Sequence, residues 1–289
     1  MENSSTPLIS NEKRYAESLD VYWKKSRIVE VLERWINSYF SETIMKEIKV
    51  EKEKELMVLG IGSGPGQIEY HVLKQVLKQW PKITDTVVEP NLSHINKYKD
   101  LAAKKARALD GVSFDWRQHT LQQFRLKTQD QPLKKFHFIM LFHVLYFFED
   151  LAEDLNYLKS ILEDGGMIIA MMECDDSCVP LITEQFPQFK KNVYVVSTRD
   201  VEKELVKLQI QFVKHRIQMN LNVTDCLDGE SKEEELLVDF ITQSPFFKET
   251  ASKSLYSDII EYLKSIVLPK SEDGKSFIKC DCDAIVITK

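Results

Sequence analysis

The sequence predicts an α/β fold: a doubly wound, mostly parallel seven-stranded sheet with helices on both faces. Three observations predict it. A short apolar run, Leu56 to Leu59, leads into four glycines at alternate positions, Gly60, Gly62, Gly64 and Gly66. Ile68, Val72, Leu73, Val76, Leu77 and Trp80 then recur at helical spacing. Strand, glycine turn and helix in that order open a nucleotide-binding sheet, where glycines let the backbone come close to a ligand. Further along, apolar runs alternate with helical patterns, which implies parallel strands joined by helical crossovers.

From the N-terminus, residues 10–25 read as a helix carrying Tyr15, Leu19, Tyr22 and Trp23, and residues 28–40 as a second helix with Val31, Leu32, Trp35, Ile36, Tyr39 and Phe40. Residues 1–45 are expected to form a helical cap or lid, and 46–289 one compact domain. A charged connector, 46–55, separates the two. Strands are expected at 56–60, 84–89, 112–116, 136–142 and 167–172, and helices at 67–79, 92–108, 150–162 and 197–208. Gly165-Gly166 reads as a turn into the fifth strand. Strands at 211–219 and 284–288 complete the sheet. Residues 225–255 interrupt the alternation as a substrate-side insertion, with a turn at Asp228-Gly229-Glu230-Ser231 and a helix bearing Leu236, Leu237, Phe240 and Ile241.

Composition narrows the class. The 289 residues are 43% hydrophobic and carry a net charge of -6, which argues against nucleic acid as a partner. No run of about 18 apolar residues marks a membrane span, and the polar start lacks a signal-peptide core. Five cysteines without zinc-finger spacing point to the reducing cytoplasm and to no metal site. Cys280-x-Cys282 reads as structural.

Ligands of open α/β sheets sit past the carboxyl ends of the strands. That nominates Gly60 to Gly66, Glu89 to Asn91, Gln118 to Thr120, Phe142 to Phe147 and Glu173 to Cys178. The dinucleotide fingerprint G-x-G-x-x-G fails, because Pro65 and Gln67 stand where a third glycine is needed. No Gly-Lys-Ser/Thr follows, which excludes a P-loop. Gly62, Gly64 and Gly66 in G-x-G-x-G form instead resemble the first motif of S-adenosylmethionine-dependent methyltransferases, although that family often has an acid where this chain has Gly60. Glu89 closes the second apolar strand at the distance expected of a carboxylate that accepts both ribose hydroxyls.

A more specific resemblance follows. Tyr15-Ala16-Glu17-Ser18, Gly62-Ser63-Gly64-Pro65-Gly66, Val87-Val88-Glu89-Pro90, Lys97-Tyr98-Lys99, Leu145-Tyr146-Phe147, Phe186-Pro187-Gln188 and Asp225-Cys226 resemble the histamine N-methyltransferase family, from about Leu8 to the last residue. Within it, the chain looks most like the members that methylate carnosine. The resemblance implies a monomeric class I (Rossmann-like) methyltransferase that binds S-adenosylmethionine and methylates an imidazole nitrogen of a small molecule. Gly62 and Glu89 match the family's cofactor contacts. Its next contact, usually Gln, is His94 here; the one after the third strand falls at Thr120 or Leu121; Phe142 replaces an Ile near the adenine. On the acceptor side, a histamine-binding Glu aligns with Ile28, beside Arg27. A Gln aligns with His143, two tryptophans with about Asp175 and Val179, and an Asn with Cys280 or Asp281. Tyr146 and Phe240 match.

His143 and Tyr146 are therefore the expected catalytic pair. His143, Asp281 or Asp283 has the chemistry to hold the acceptor's ring N–H. Tyr15, Arg27, Ile28, Phe147, Asp175, Phe240 and Asp281 are the expected acceptor contacts. Lys24, Lys25 and Arg27 suit a substrate carboxylate and Asp175 and Asp176 an ammonium, which favours carnosine over histamine. Two readings of other classes remain: a methyltransferase-like binding protein without catalysis, and a nicotinamide-dependent reductase, which the glycine spacing disfavours.

Overall fold

The computed structural model describes residues 6–129, 134–192, 197–228, 231–269 and 274–289. The strands are β1 (Leu56–Ile61), β2 (Ile83–Val88), β3 (Val112–Arg117), β4 (Phe136–Phe142), β5 (Leu162–Glu173), β6 (Val213–Ile217), β7 (Asn220–Asn222), β8 (Phe277–Lys279) and β9 (Cys282–Thr288). The helices are α1 (Glu12–Ser26), α2 (Ile28–Trp35), α3 (Gln67–Val76), α4 (Leu92–Lys104), α5 (Leu121–Thr128), α6 (Leu151–Ser160), α7 (Cys178–Gln185), α8 (Thr198–Lys207), α9 (Thr224–Asp228), α10 (Lys232–Thr242), α11 (Phe247–Thr250) and α12 (Lys253–Ser265). Seven strands form one sheet in the order β3-β2-β1-β4-β5-β9-β6, with helices on both faces. β1 pairs in parallel with β2 and β4, β2 with β3, and β4 with β5. The order reverses between β1 and β4, the switch point at which such sheets bind ligands.

The chain divides into two compact units. The larger comprises Val29–Met172, Val201–His215 and Ala284–Lys289, the smaller Met1–Ile28, Glu173–Asp200 and Arg216–Asp283. The front segment expected as a separate cap is shared: α1 falls in the smaller unit, and α2, but for Ile28, in the larger.

In the larger unit, sequence pattern and core agree. Leu56, Val58 and Leu59 of β1, Phe138 to Leu141 of β4 and Met167 to Met172 of β5 are buried, the continuous apolar burial of strands covered on both faces. The helical pattern expected over 28–40 continues past α2 as a π-helical turn, Ile36–Phe40, whose Phe40 ring lies 6.2 Å from Phe138. Gly165-Gly166 is not a turn before β5 but an irregularity within it. The strand starts at Leu162, opposite Phe136, and its register shifts before Phe138 meets Met167. Gly165 takes φ 78°, which suits a bulge.

In the smaller unit α1 lies along α10. Arg14 Nε donates to Asp239 at 2.6 Å, and the Phe246 and Phe247 amides donate to the same carboxylate at 2.8 Å each. The Arg14 guanidinium also covers the Phe246 ring, 4.7 Å from its centroid. The expected insertion at 225–255 resolves into α9 to α12, the last ending well beyond it. Gly229 and Glu230 of the expected turn lie outside the described residues. Two short strands, β7 and β8, pair antiparallel. All five cysteines are buried and unbridged.

Candidate functional site

The parallel register sets the frame of the site. Ile61 faces Val88 and Val88 faces Arg117, so β1, β2 and β3 end in line, and the glycine loop, Glu89 and Gln118 emerge at one edge. Gly62, Gly64 and Gly66 take φ of 63°, 56° and 75°. Their Cα atoms face different neighbours. A Cβ on Gly62 would strike Val144 and one on Gly66 the Tyr98 ring, whereas one on Gly64 meets nothing within 4 Å. Gly64 is thus the point where the loop presents bare backbone outward, a cradle that suits the methionine part of a cofactor.

Glu89 is 5% exposed and anchors this loop. Its carboxylate accepts the Gly64 amide at 2.9 Å on one oxygen and the Asn91 amide at 2.9 Å on the other. Each oxygen keeps acceptor capacity for a ribose hydroxyl. His94, in the first turn of α4, lies 3.6 Å from the same carboxylate. Thr120 caps α5 in a reciprocal box with Gln123. Phe142 is the buried last residue of β4. The loop, Glu89 and His94 therefore form one cluster, and their donors and acceptors fit S-adenosylmethionine.

Past β4, His143 adopts φ 53°, a conformation that His tolerates better than most residues and one often found at functional sites. Its amide donates to the Met171 carbonyl at 2.8 Å. Its Nδ1 lies 3.5 Å from the Tyr146 hydroxyl, with the two rings 21° from parallel. Burial lowers the His143 pKa to about 4, so the imidazole is neutral at pH 7. Phe147 is exposed beside Tyr146.

The smaller unit holds the remaining expected residues. Tyr15 is half-buried on α1, Arg27 is exposed at its C-cap with φ 54°, and Ile28 is 1% exposed. Lys24 pairs with Glu233 at 2.6 Å, and Lys25 with Asp225 and Glu233. Asp175 accepts the Arg199 amide at 3.0 Å and pairs with its guanidinium at 3.1 Å. Asp281 accepts the Met219 amide at 2.9 Å and faces Arg216 and Lys279 at 3.4 and 3.3 Å. Asp283 receives Arg216 Nε at 2.6 Å and the Thr198 hydroxyl at 2.9 Å. Phe240 stacks on Tyr22, 4.2 Å between centroids. The Tyr22 hydroxyl donates to Glu173 at 2.7 Å, and burial pushes that carboxyl up to about 7.

A family model described as a methyltransferase domain matches residues 32–219. The chain belongs to the methyltransferase domain family. The methyltransferase is 27% identical over 294 residues to histamine N-methyltransferase A of Xenopus laevis and 25% identical over 294 residues to histamine N-methyltransferase of Bos taurus. In both comparisons 99% of each chain is covered. Its fold is similar to that of the YcgJ protein of Bacillus subtilis (TM-score 0.53, 12% identity, covering 87% of this chain and 98% of that one). It is also similar to that of the plantazolicin methyltransferase BpumL in complex with a triazolic desmethylPZN analog and SAH (TM-score 0.52, 13% identity, covering 98% of this chain and 93% of that one).

Sequence reasoning left out several charged residues that the methyltransferase's structure shows to be buried or paired. Glu173 was nominated only as one of several strand-end residues; an acid closing an apolar run, as Glu89 does, was the available signal. Asp85 and Glu69 were missed. A lone acid inside an apolar strand and another on the apolar side of a helix were both visible. Arg216 gave no local signal, because its partners are far away in sequence, and Lys279 shares Asp176, 103 residues away, with it.

Proposed function

We propose that this methyltransferase transfers a methyl group from S-adenosylmethionine to a ring nitrogen of a small imidazole-bearing amine, with histamine the preferred acceptor, acting as a monomer in the cytoplasm. The observation that carries the reading is the neutral His143 held beside Tyr146 at the carboxyl end of β4. When bound, S-adenosylmethionine supplies an electrophilic methyl on a sulfonium. A neutral acceptor ring attacks with the lone pair of one nitrogen while the other carries the proton. His143 accepts that N–H, fixes the tautomer and stabilises the positive charge that develops on the ring. Held neutral at pH 7, His143 serves as an acceptor there. The rate then rises with pH as the acceptor imidazole itself deprotonates near its ordinary value of about 6.5.

Two further observations support histamine. The full-length relatives are histamine N-methyltransferases. The basic run that favoured a carboxylate-bearing acceptor is already engaged, with Lys24 and Lys25 paired to Glu233 and Asp225. The test is a methyl-transfer assay with S-adenosylmethionine across histamine, carnosine and histidine. Histamine is expected to give the highest kcat/KM. A higher value for carnosine reverses the acceptor assignment. Tight cofactor binding without transfer to any of the three makes the chain a binding protein.

A further inference from the structure

Beneath the glycine loop lies a group of acids that the chemistry above does not use. Glu69, in the first turn of α3, is 2% exposed, and Asp85, in the middle of β2, is fully buried. The Glu69 carboxyl and the Ser63 hydroxyl fill the space where a Cβ on Gly60 would stand, and the fully buried Tyr98 ring lies against Gly66. These side chains form the floor on which the loop rests. The Tyr98 hydroxyl faces both carboxyls and the Ser63 hydroxyl faces Glu69. Even so, both Asp85 oxygens, Glu69 Oε2, Tyr98 Oη and Ser63 Oγ are buried without a hydrogen-bond partner.

Two carboxyls sealed together without a cation cannot both ionise at ordinary pH. Burial pushes both upward, and the Asp85 charge pushes Glu69 further. Among the described residues, the charged or titratable groups that face them include Glu89 at the end of β2, His94 beside it, and Tyr98 of α4. β1 sets Val58 opposite Asp85 and brings Gly60 against Glu69, neither of them charged, and β3 brings the Phe114 and Trp116 rings that pack on Tyr98. The pair therefore keeps a proton that a nearby positive charge can displace.

We propose that the Glu69–Asp85 pair, with Tyr98 and Ser63, reads the charge of the ligand on the glycine loop: the cationic sulfonium cofactor drives a proton from the pair into solvent, and the uncharged thioether product lets it return. The inference rests on the cofactor assignment and not on the acceptor. It makes Glu69 and Asp85 positioning residues that favour cofactor over spent product. The favour grows with pH, because ionisation of the pair strengthens cofactor binding more than product binding.

The test is calorimetric titration of the full chain with S-adenosylmethionine and with S-adenosylhomocysteine, in two buffers of different ionisation enthalpy, from pH 6 to 8. The ligands' own amino groups titrate as well, but equally in wild type and variant, so the difference between proteins reports the pair. Wild type is expected to release about half a proton more on cofactor binding than Asp85→Asn does, and its cofactor-to-product affinity ratio to rise about 3- to 10-fold over the range. In Asp85→Asn that rise disappears. Equal proton release in wild type and a folded Asp85→Asn overturns the proposal; if that variant is unfolded, Glu69→Gln gives the same reading. An affinity ratio flat with pH in wild type overturns it without any variant. Absence of cofactor binding in wild type overturns the cofactor assignment instead.

Discussion

Each of the two units has its own means of internal cohesion. The larger is built on apolar strands and a loop whose determinants are contiguous: Gly60 to Gly66, then Glu89 at the next strand end, bound back to Gly64. The smaller is tied by polar pairs between residues distant in sequence. Arg14 meets Asp239, Tyr22 meets Glu173, and Arg216 joins Asp176, Asp281 and Asp283. Hydrogen bonds from the Cys174 thiol and Lys279 hold the Asp176 carboxyl well below its ordinary range. A site read by local motif tolerates little change in the motif. A region built on long-range pairs is sensitive to the loss of one partner, because the other is left charged and buried.

The largest effect that sharpens this contrast is on stability. Arg14→Ala leaves Asp239 buried with its charge uncompensated, and should cost about 3–5 kcal/mol in chemical unfolding. A loss below about 1 kcal/mol would mean that the pair does not hold α1 to α10. Next come the two loop changes, read as cofactor affinity. Glu89→Ala removes charged hydrogen-bond acceptors and frees the Gly64 amide, so affinity should fall by about 3 kcal/mol with the fold intact. Gly64→Val places a β-branched residue at φ 56°, at a strain of about 1–2 kcal/mol, and fills the cradle. Calorimetry should then find cofactor binding lost, and unchanged affinity would show that the loop does not approach the ligand.

A pH experiment probes the polar exception inside the apolar unit. Burial raises Asp85 from 3.8 to about 7. Because the folded value lies above the unfolded one, its contribution to stability is complete below about pH 4 and is lost as pH rises toward 7. Asp85→Asn should therefore be more stable than wild type by about 2 kcal/mol at pH 8, with the gain fading near pH 4. Thermal melts at both pH values check this, and a gain independent of pH would rule out titration of this group. The smallest effect belongs to Lys24→Ala. Its pair with Glu233 is largely exposed, so stability should change by less than about 0.5 kcal/mol and histamine kinetics not at all. A change in KM for histamine would return the basic run to the acceptor site.

The sequence by itself determined the α/β class, the alternation of strands and helices along the nucleotide-binding half, the loop and Glu89, because these follow from patterns within one supersecondary unit. Apolar runs, helical spacing and glycine placement act over a few residues. The Thr120-x-x-Gln123 box shows that even an overlooked helix, α5, was written locally. Tertiary structure alone decided the division into two units, the engagement of Lys24 and Lys25 by α9 and α10, and the neutrality of His143. It also placed Glu69 beside Asp85. Burial sets these charge states and ion pairs, and burial depends on which distant residues pack around a group. The three aspartates that fix the role of Arg216 lie 40 to 67 residues away, and Lys279 reaches Asp176 across 103, separations that no local pattern describes.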